Sequence, residues 1–116
     1  MKVYELTFIL NPNLDDRSVE AEVDKLVQQL KAHGGNVVEI QRLGVRRMQY
    51  QVKKHNQGNY ITIYYQSNPS VPKQLETGMK LNESVLRFLT VVLSSKEYKP
   101  VERPQEEEKA PLPEDV

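Results

Sequence analysis

Five cations crowd one short stretch of this chain, "RLGVRRMQYQVKKHNQGNY" (Arg42 to Tyr60): Arg42, Arg46, Arg47, Lys53 and Lys54, with no acid among them. Arginine and lysine fixed on a rigid element are the side chains that contact phosphate oxygens. The same residues can instead belong to a solvated edge strand, where they deter edge-to-edge pairing. A run of five cations without one compensating acid favours phosphate, and hence nucleic acid. The stretch also carries Val45, Met48, Tyr50 and Val52, apolar side chains that seek burial.

Other chemistries find no anchor. Nucleophilic catalysis needs a thiol or hydroxyl with a base beside it. The chain has no cysteine, and its only histidines are His33 and His55. His33 precedes Gly34 at a predicted helix end, where a cation near the last carbonyls has a structural role. His55 falls in a polar turn. The pairs Asp15–Asp16 and Glu20–Asp24 stand early in the same predicted helix, where capping and a solvated face account for them. There is no glycine-rich phosphate loop. No catalytic residue, metal, cofactor or small-molecule substrate is expected, and the chain reads as something other than an enzyme.

Positioning those cations takes a folded domain, and 116 residues suffice for one with a core that needs no disulfide. The opening "MKVYELTFILNPNL" is broken by Pro12 too soon for a signal peptide or membrane span. A soluble protein of a reducing compartment, with no membrane partner, is therefore expected. The zero net charge averages two regions. Residues 1–95 hold twelve bases and nine acids, a body at +3, whereas 96–116 hold seven acids, four bases and four of the seven prolines. The second region has too little to bury to offset its ordering entropy, so an acidic, proline-rich disordered tail is predicted there.

Within the body, residues 2–10 alternate as a strand, with Tyr4, Leu6, Phe8 and Leu10 on one face and Val3, Glu5, Thr7 and Ile9 on the other. Asp15 or Asp16 caps a helix whose buried stripe is Val19, Val23, Leu26, Val27 and Leu30, ended by Gly34 and Gly35. Residues 36–52 form a longer strand, in which Val38, Ile40, Met48, Tyr50 and Val52 keep one parity. Leu43 and Val45 break it around Gly44, which predicts a bulge. "KKHNQG" is a connection and "NYITIYYQS" a third strand. Asn68 then caps a second helix with Pro69 at its first position and Val71, Leu75 and Met79 inward. "VLRFLTVVL" is the fourth strand. The order β-α-β-β-α-β predicts an α+β, ferredoxin-like sandwich: a four-stranded antiparallel sheet with two helices on one face.

Two helices leave one sheet face uncovered, and that face should be polar if it meets only water. Instead the pattern turns Tyr60, Tyr64, Val3 and Ile9 outward, with either Leu89, Val91 and Leu93 or Phe88 and Val92 from the fourth strand. So much apolar surface predicts a protein-docking face.

These residues resemble those of the bacterial small-subunit ribosomal protein S-six family over roughly residues 1–95. The resemblance rests on "YELTFILNPNL" (Tyr4 to Leu14), "LGVRRMQYQV" (Leu43 to Val52), "QGNY" (Gln57 to Tyr60) and "KLNESVLRFLTVVL" (Lys80 to Leu93). The spacing of Gly44, Arg46, Arg47 and Tyr50, then Gly58 and Tyr60, is its most specific part. It implies the ferredoxin-like fold, no enzymatic activity and a cytoplasmic place in the ribosome. It further implies binding to the central domain of small-subunit (16S-type) ribosomal RNA in a heterodimer with ribosomal protein S-eighteen. Arg46 and Arg47 match the family's paired basic residues. Lys2, Lys53, Lys54 and Arg87 join them as RNA-binding candidates on charge and position. Met48 and Gln49 depart from the family's usual leucine and small residue, and Gln51 from a frequent proline.

Two other readings share the element order. An RNA-recognition module would place a basic residue, glycine and aromatics on its third strand for base stacking. Here "QGNYITIY" has Gln57 and Asn59 in two of those places. An oligomerising ferredoxin-like domain would use the apolar face for self-association and ignore RNA.

Overall fold

The computed structural model describes residues 2–93; the tail expected at 96–116 lies outside them. The elements are β1 (Lys2–Leu10), α1 (Asp16–Ala32), β2 (Asn36–Val52), β3 (His55–Ser67), α2 (Val71–Lys80) and β4 (Val85–Leu93). They build one four-stranded sheet in the order β2-β3-β1-β4, with every neighbouring pair antiparallel. This is the α+β, ferredoxin-like arrangement.

Period-two alternation in β1 sends Tyr4, Leu6, Phe8 and Leu10 into the main core with Ile61, Ile63 and Tyr65 of β3. Val19, Val23, Leu26 and Leu30 of α1 and Val71, Leu75 and Met79 of α2 cover them. Both helices therefore lie on one sheet face. The Asp15 side chain accepts from the Ser18 N–H at 2.8 Å and caps α1. Hydrogen bonds from Ser18, side chain and backbone, hold the Asp15 carboxyl below its ordinary value. The other end closes as a Schellman turn: Gly34 N–H donates to the Lys31 carbonyl and Gly35 N–H to Leu30, with Gly34 at φ +83°.

Three local expectations change. Helix α2 starts at Val71 with Pro72 in its first turn, not at Pro69. Asn68 contributes its carbonyl to Val71 N–H rather than a side-chain cap, so Pro69 sits in the preceding turn. The predicted connection "KKHNQG" shrinks to Lys53 and Lys54, because Val52 pairs directly with His55 and β3 begins there. In β2 a register slip at Gly44 (φ +87°) bears out the predicted bulge, but two more occur, between Val37 and Glu39 and between Arg47 and Val52. These slips break the single parity expected of the strand. Val37 and Ile40 reach the main core, whereas Val38 and Tyr50 are exposed.

The bulges have a further consequence. Leu43, Met48 and Val52 of outer β2 pack with Ile9, Tyr60 and Leu86 in a second, smaller cluster. Tyr60, Ile9 and Tyr64, expected as outward surface, are buried instead, at 2%, 0% and 0% exposure. For Tyr60 and Ile9 the cause is β2, which bends at Gly44 and lays its outer half over them. Tyr64 donates its hydroxyl to Glu5 Oε2 at 2.8 Å. A Cβ at Gly58 would run into Ile9 Cγ2, so only glycine lets β3 approach this cluster so closely.

Candidate nucleic-acid interface

Because β1 and β3 are antiparallel, the register fixes which ends of the strands meet. Leu10 lies opposite Asn59 and Val85, so the β2–β3 turn, the end of β1 and the start of β4 share one end of the sheet. Arg46, Arg47, Lys53, Lys54 and Arg87 gather there. Lys2 does not: it pairs with Ser67 at the opposite end, eight residues along β1, or about 27 Å at strand rise.

Each cation in the group is held differently. Arg46 is half-buried and donates from Nε to the Leu43 carbonyl at 3.3 Å, across the Gly44 bulge. Arg47 is exposed and stands opposite Gln57. Lys53 and Lys54 form the tight turn with φ +50° and +70°, the left-handed backbone of a type I′ hairpin. Lys53 Nζ ties the turn to β4 by donating to the Val85 carbonyl at 3.1 Å. Arg87 donates from Nη1 to the Tyr50 hydroxyl at 2.9 Å, with its guanidinium 5.7 Å from that ring's centroid. Tyr50, expected to be buried, thus serves as a surface platform.

Arg42 is set apart from this group. It faces α1 and makes a two-pronged bond to Glu20, Nε to Oε2 at 2.7 Å and Nη2 to Oε1 at 2.8 Å. That bond holds the Glu20 carboxyl below its ordinary value and raises the guanidinium of Arg42. Arg47 and Lys54, in contrast, have no ion pair among the described residues.

Two features of this end escaped sequence reasoning. A cleft of about 430 Å³ runs between the β1–α1 loop and the hairpin, lined by Pro12 and Asn13 on one side and Arg47, Lys54, His55, Asn56 and Gln57 on the other. Its amides lie in "HNQ", which read only as a connection. The second feature is the platform under Arg87, which needed a contact between residues 37 positions apart.

The apolar surface is also resolved. Leu89, Val91 and Leu93 share the uncovered face with Val3, opposite Thr7, Glu5 and Val3 in register. Leu89 and Val91 are 43% and 40% exposed. Phe88 instead packs toward the main core. The strip lies on an outer strand and starts two residues from Arg87.

The chain matches the family model described as ribosomal protein S6 over residues 3–92. It belongs to the ribosomal protein S6 family. Among curated relatives, small ribosomal subunit protein bS6 of Campylobacter curvus is 35% identical over 96 residues, covering 83% of this chain and 68% of that protein. The Desulfitobacterium hafniense (strain DSM 10664 / DCB-2) protein of the same name is 38% identical over 90 residues, covering 78% and 95%. The crystal structure of 30S ribosomal protein S6 from Thermotoga maritima superposes with a TM-score of 0.77 at 25% identity, covering 93% of this chain and 95% of that one. The resemblance read from Gly44, Arg46, Arg47 and Tyr50 is thereby borne out. As an S6-family member the chain is a small-subunit ribosomal protein, a structural component of the cytoplasmic ribosome and not an enzyme. Among the described residues no helix is long and apolar enough to cross a membrane.

Proposed function

We propose that this chain binds the central domain of small-subunit ribosomal RNA together with ribosomal protein S-eighteen. The observation that supports this most is the gathering of Arg46, Arg47, Lys53, Lys54 and Arg87 at one end of the sheet, beside an exposed apolar strip. Exposed cations on a tied-down hairpin contribute phosphate contacts, each releasing counterions. The body's +3 charge is too small for tight binding alone. A partner seated on Val3, Leu89 and Val91 would lie next to Arg87 and extend the basic surface with its own. Self-association through the same strip is the competing use.

The test is a salt titration of binding to a central-domain RNA fragment, with and without S-eighteen. Tight binding only with the partner, weakened by salt, is the expected result. Arg47→Ala should weaken binding in every sequence context and reduce the slope of log K against log salt by about 0.7–0.9. Partner-independent tight binding would point to an autonomous RNA module. A homodimer that ignores RNA would overturn the proposal.

A further inference from the structure

We propose that the cleft between the β1–α1 loop and the β2–β3 hairpin holds one unpaired nucleotide of bound RNA, its phosphate on Arg47 and Lys54 and its base edge on side-chain amides. This rests on the RNA-binding reading above and names a site within it. The cleft's volume, about 430 Å³, falls in the roughly 300–1,000 Å³ range of pockets that take small molecules. Its lining divides by chemistry. Arg47 and Lys54 supply positive charge without an ion pair among the described residues. Asn13, Asn56 and Gln57 supply paired amide donors and acceptors, the groups that read base edges. Pro12 is the one apolar wall. A paired base hides its Watson–Crick edge, so a site built of amides suits an unpaired one. His55 supplies the one aromatic ring in the lining, a surface on which an unpaired base stacks while the amides take its edge.

The backbone supports the same reading. Both central residues of the hairpin turn have positive φ, where asparagine and glycine relax the chain and lysine is strained. Lys53 has a local reason to be there, its bond to the Val85 carbonyl. Lys54 makes no such bond among the described residues. What it does is line the cleft. A strained backbone that keeps a cation at the mouth of a cleft is accounted for by an anion bound there.

The test uses the full chain labelled with ¹⁵N and titrated separately with AMP, GMP, CMP, UMP and inorganic phosphate. The expected result is saturable shifts of the Asn13, Asn56 and Gln57 side-chain amides. Saturation should come at several-fold lower concentration for at least one nucleotide than for phosphate, and unequally among the four bases. Asn56→Ala with Gln57→Ala should level the base preference and leave phosphate binding in place. Lys54→Gly should relax the turn, keep or raise stability, and weaken all five probes, so the loss cannot be ascribed to misfolding. Equal saturation by phosphate and all four nucleotides would reduce the cleft to an anion site and overturn the proposal. So would shifts scattered outside the cleft, or none up to millimolar concentrations. The salt titration with S-eighteen does not depend on this outcome, so either reading can fail without the other.

Discussion

Replacing Gly58 with alanine pits two effects against each other, and the structure decides between them. Glycine within a strand is entropically unfavourable, so alanine would ordinarily stabilise by about 0.5–1 kcal/mol. Gly58, however, is buried, and an added Cβ would run into Ile9 Cγ2, with Met48 Sδ at 3.6 Å on another side. Ile9 cannot swing away. It is fully buried on β1, paired with Tyr60 on one side and Arg87 on the other. Forcing a methyl into such a site costs about 1–3 kcal/mol, which outweighs the entropic gain. The expected net loss is about 1–2 kcal/mol, or roughly 5–15 °C in Tm for a domain of this size.

Thermal and urea unfolding of the full chain would read this directly, and a double-mutant cycle tests the cause. Ile9→Ala alone should cost about 2–5 kcal/mol by leaving a cavity. With Ile9 truncated, the clash disappears and the new methyl occupies part of the space it needs. The double variant should then be no less stable than Ile9→Ala. The reasoning fails if Gly58→Ala is as stable as the wild type, or if the two losses add within about 0.5 kcal/mol.

Gly78 offers the opposite case. It is exposed in α2, and the nearest atoms to an added Cβ are Gln29 side-chain atoms 3.9–4.0 Å away. Gly78→Ala should therefore stabilise by about 0.5–1 kcal/mol, seen as a higher urea midpoint; a lower one would refute it. Tyr65 is fully buried, stacked at 5.4 Å on Tyr4, and its hydroxyl has no hydrogen-bond partner among the described residues. Burial, reinforced by Tyr4 and Glu76, pushes that hydroxyl's pKa up. Tyr65→Phe removes the desolvated group and should be neutral or stabilising by about 1 kcal/mol, whereas a loss above that size would mean the hydroxyl has a stabilising role. In acid, Asp15 and Glu20 have folded pKa values below their unfolded ones. Their contribution is thus present above the unfolded carboxylate value, about 4, and lost as pH falls through the folded values. Arg42→Ala should cost no more than about 0.5 kcal/mol at neutral pH, since the pair is half exposed, and should flatten the decline below pH 4. Urea midpoints between pH 2 and 6 with identical slopes in both proteins would discard that assignment.

What was legible in the sequence follows from which forces are local. The alternation of Tyr4, Leu6, Phe8 and Leu10 and the stripes of the two helices report a core that each element must cover, so element order and fold were readable. The slip at Gly44 was visible because glycine at a phase break has few other meanings. The slips at Val38 and beyond Arg47 carry no such mark, and with them went the fate of the open face. Tyr60 and Ile9 alternate as surface residues should. They are buried only because a bent neighbouring strand returns over them. The two-lysine turn was hidden for a related reason, since a type I′ turn normally announces itself with asparagine or glycine. The cleft joins residues from two distant loops, and local periodicity cannot report such a meeting.

The conflict within β2 between cations and apolar side chains is resolved by its irregular register. A regular strand of 17 residues has only two faces, so burying Ile40 under the helices would fix the direction of every later side chain. Each added residue reverses that assignment. The slip near Val38 keeps Val37 and Ile40 on the main core; Leu43 already points the other way, and the slip at Gly44 brings Met48 to the same second cluster, which Val52 joins beyond the third slip. Arg47 and Lys54 are left at the outer end of a strand anchored by six apolar side chains, Lys53 and the Tyr50–Arg87 contact. Cations on a free loop would lose several rotamers and a mobile backbone on meeting phosphate. Here much of that ordering is already complete when the chain folds, which leaves more of each contact's energy for binding. On the proposed RNA-binding reading the second cluster serves that interface as well as the fold, and Gly58, which permits its close packing, links the two.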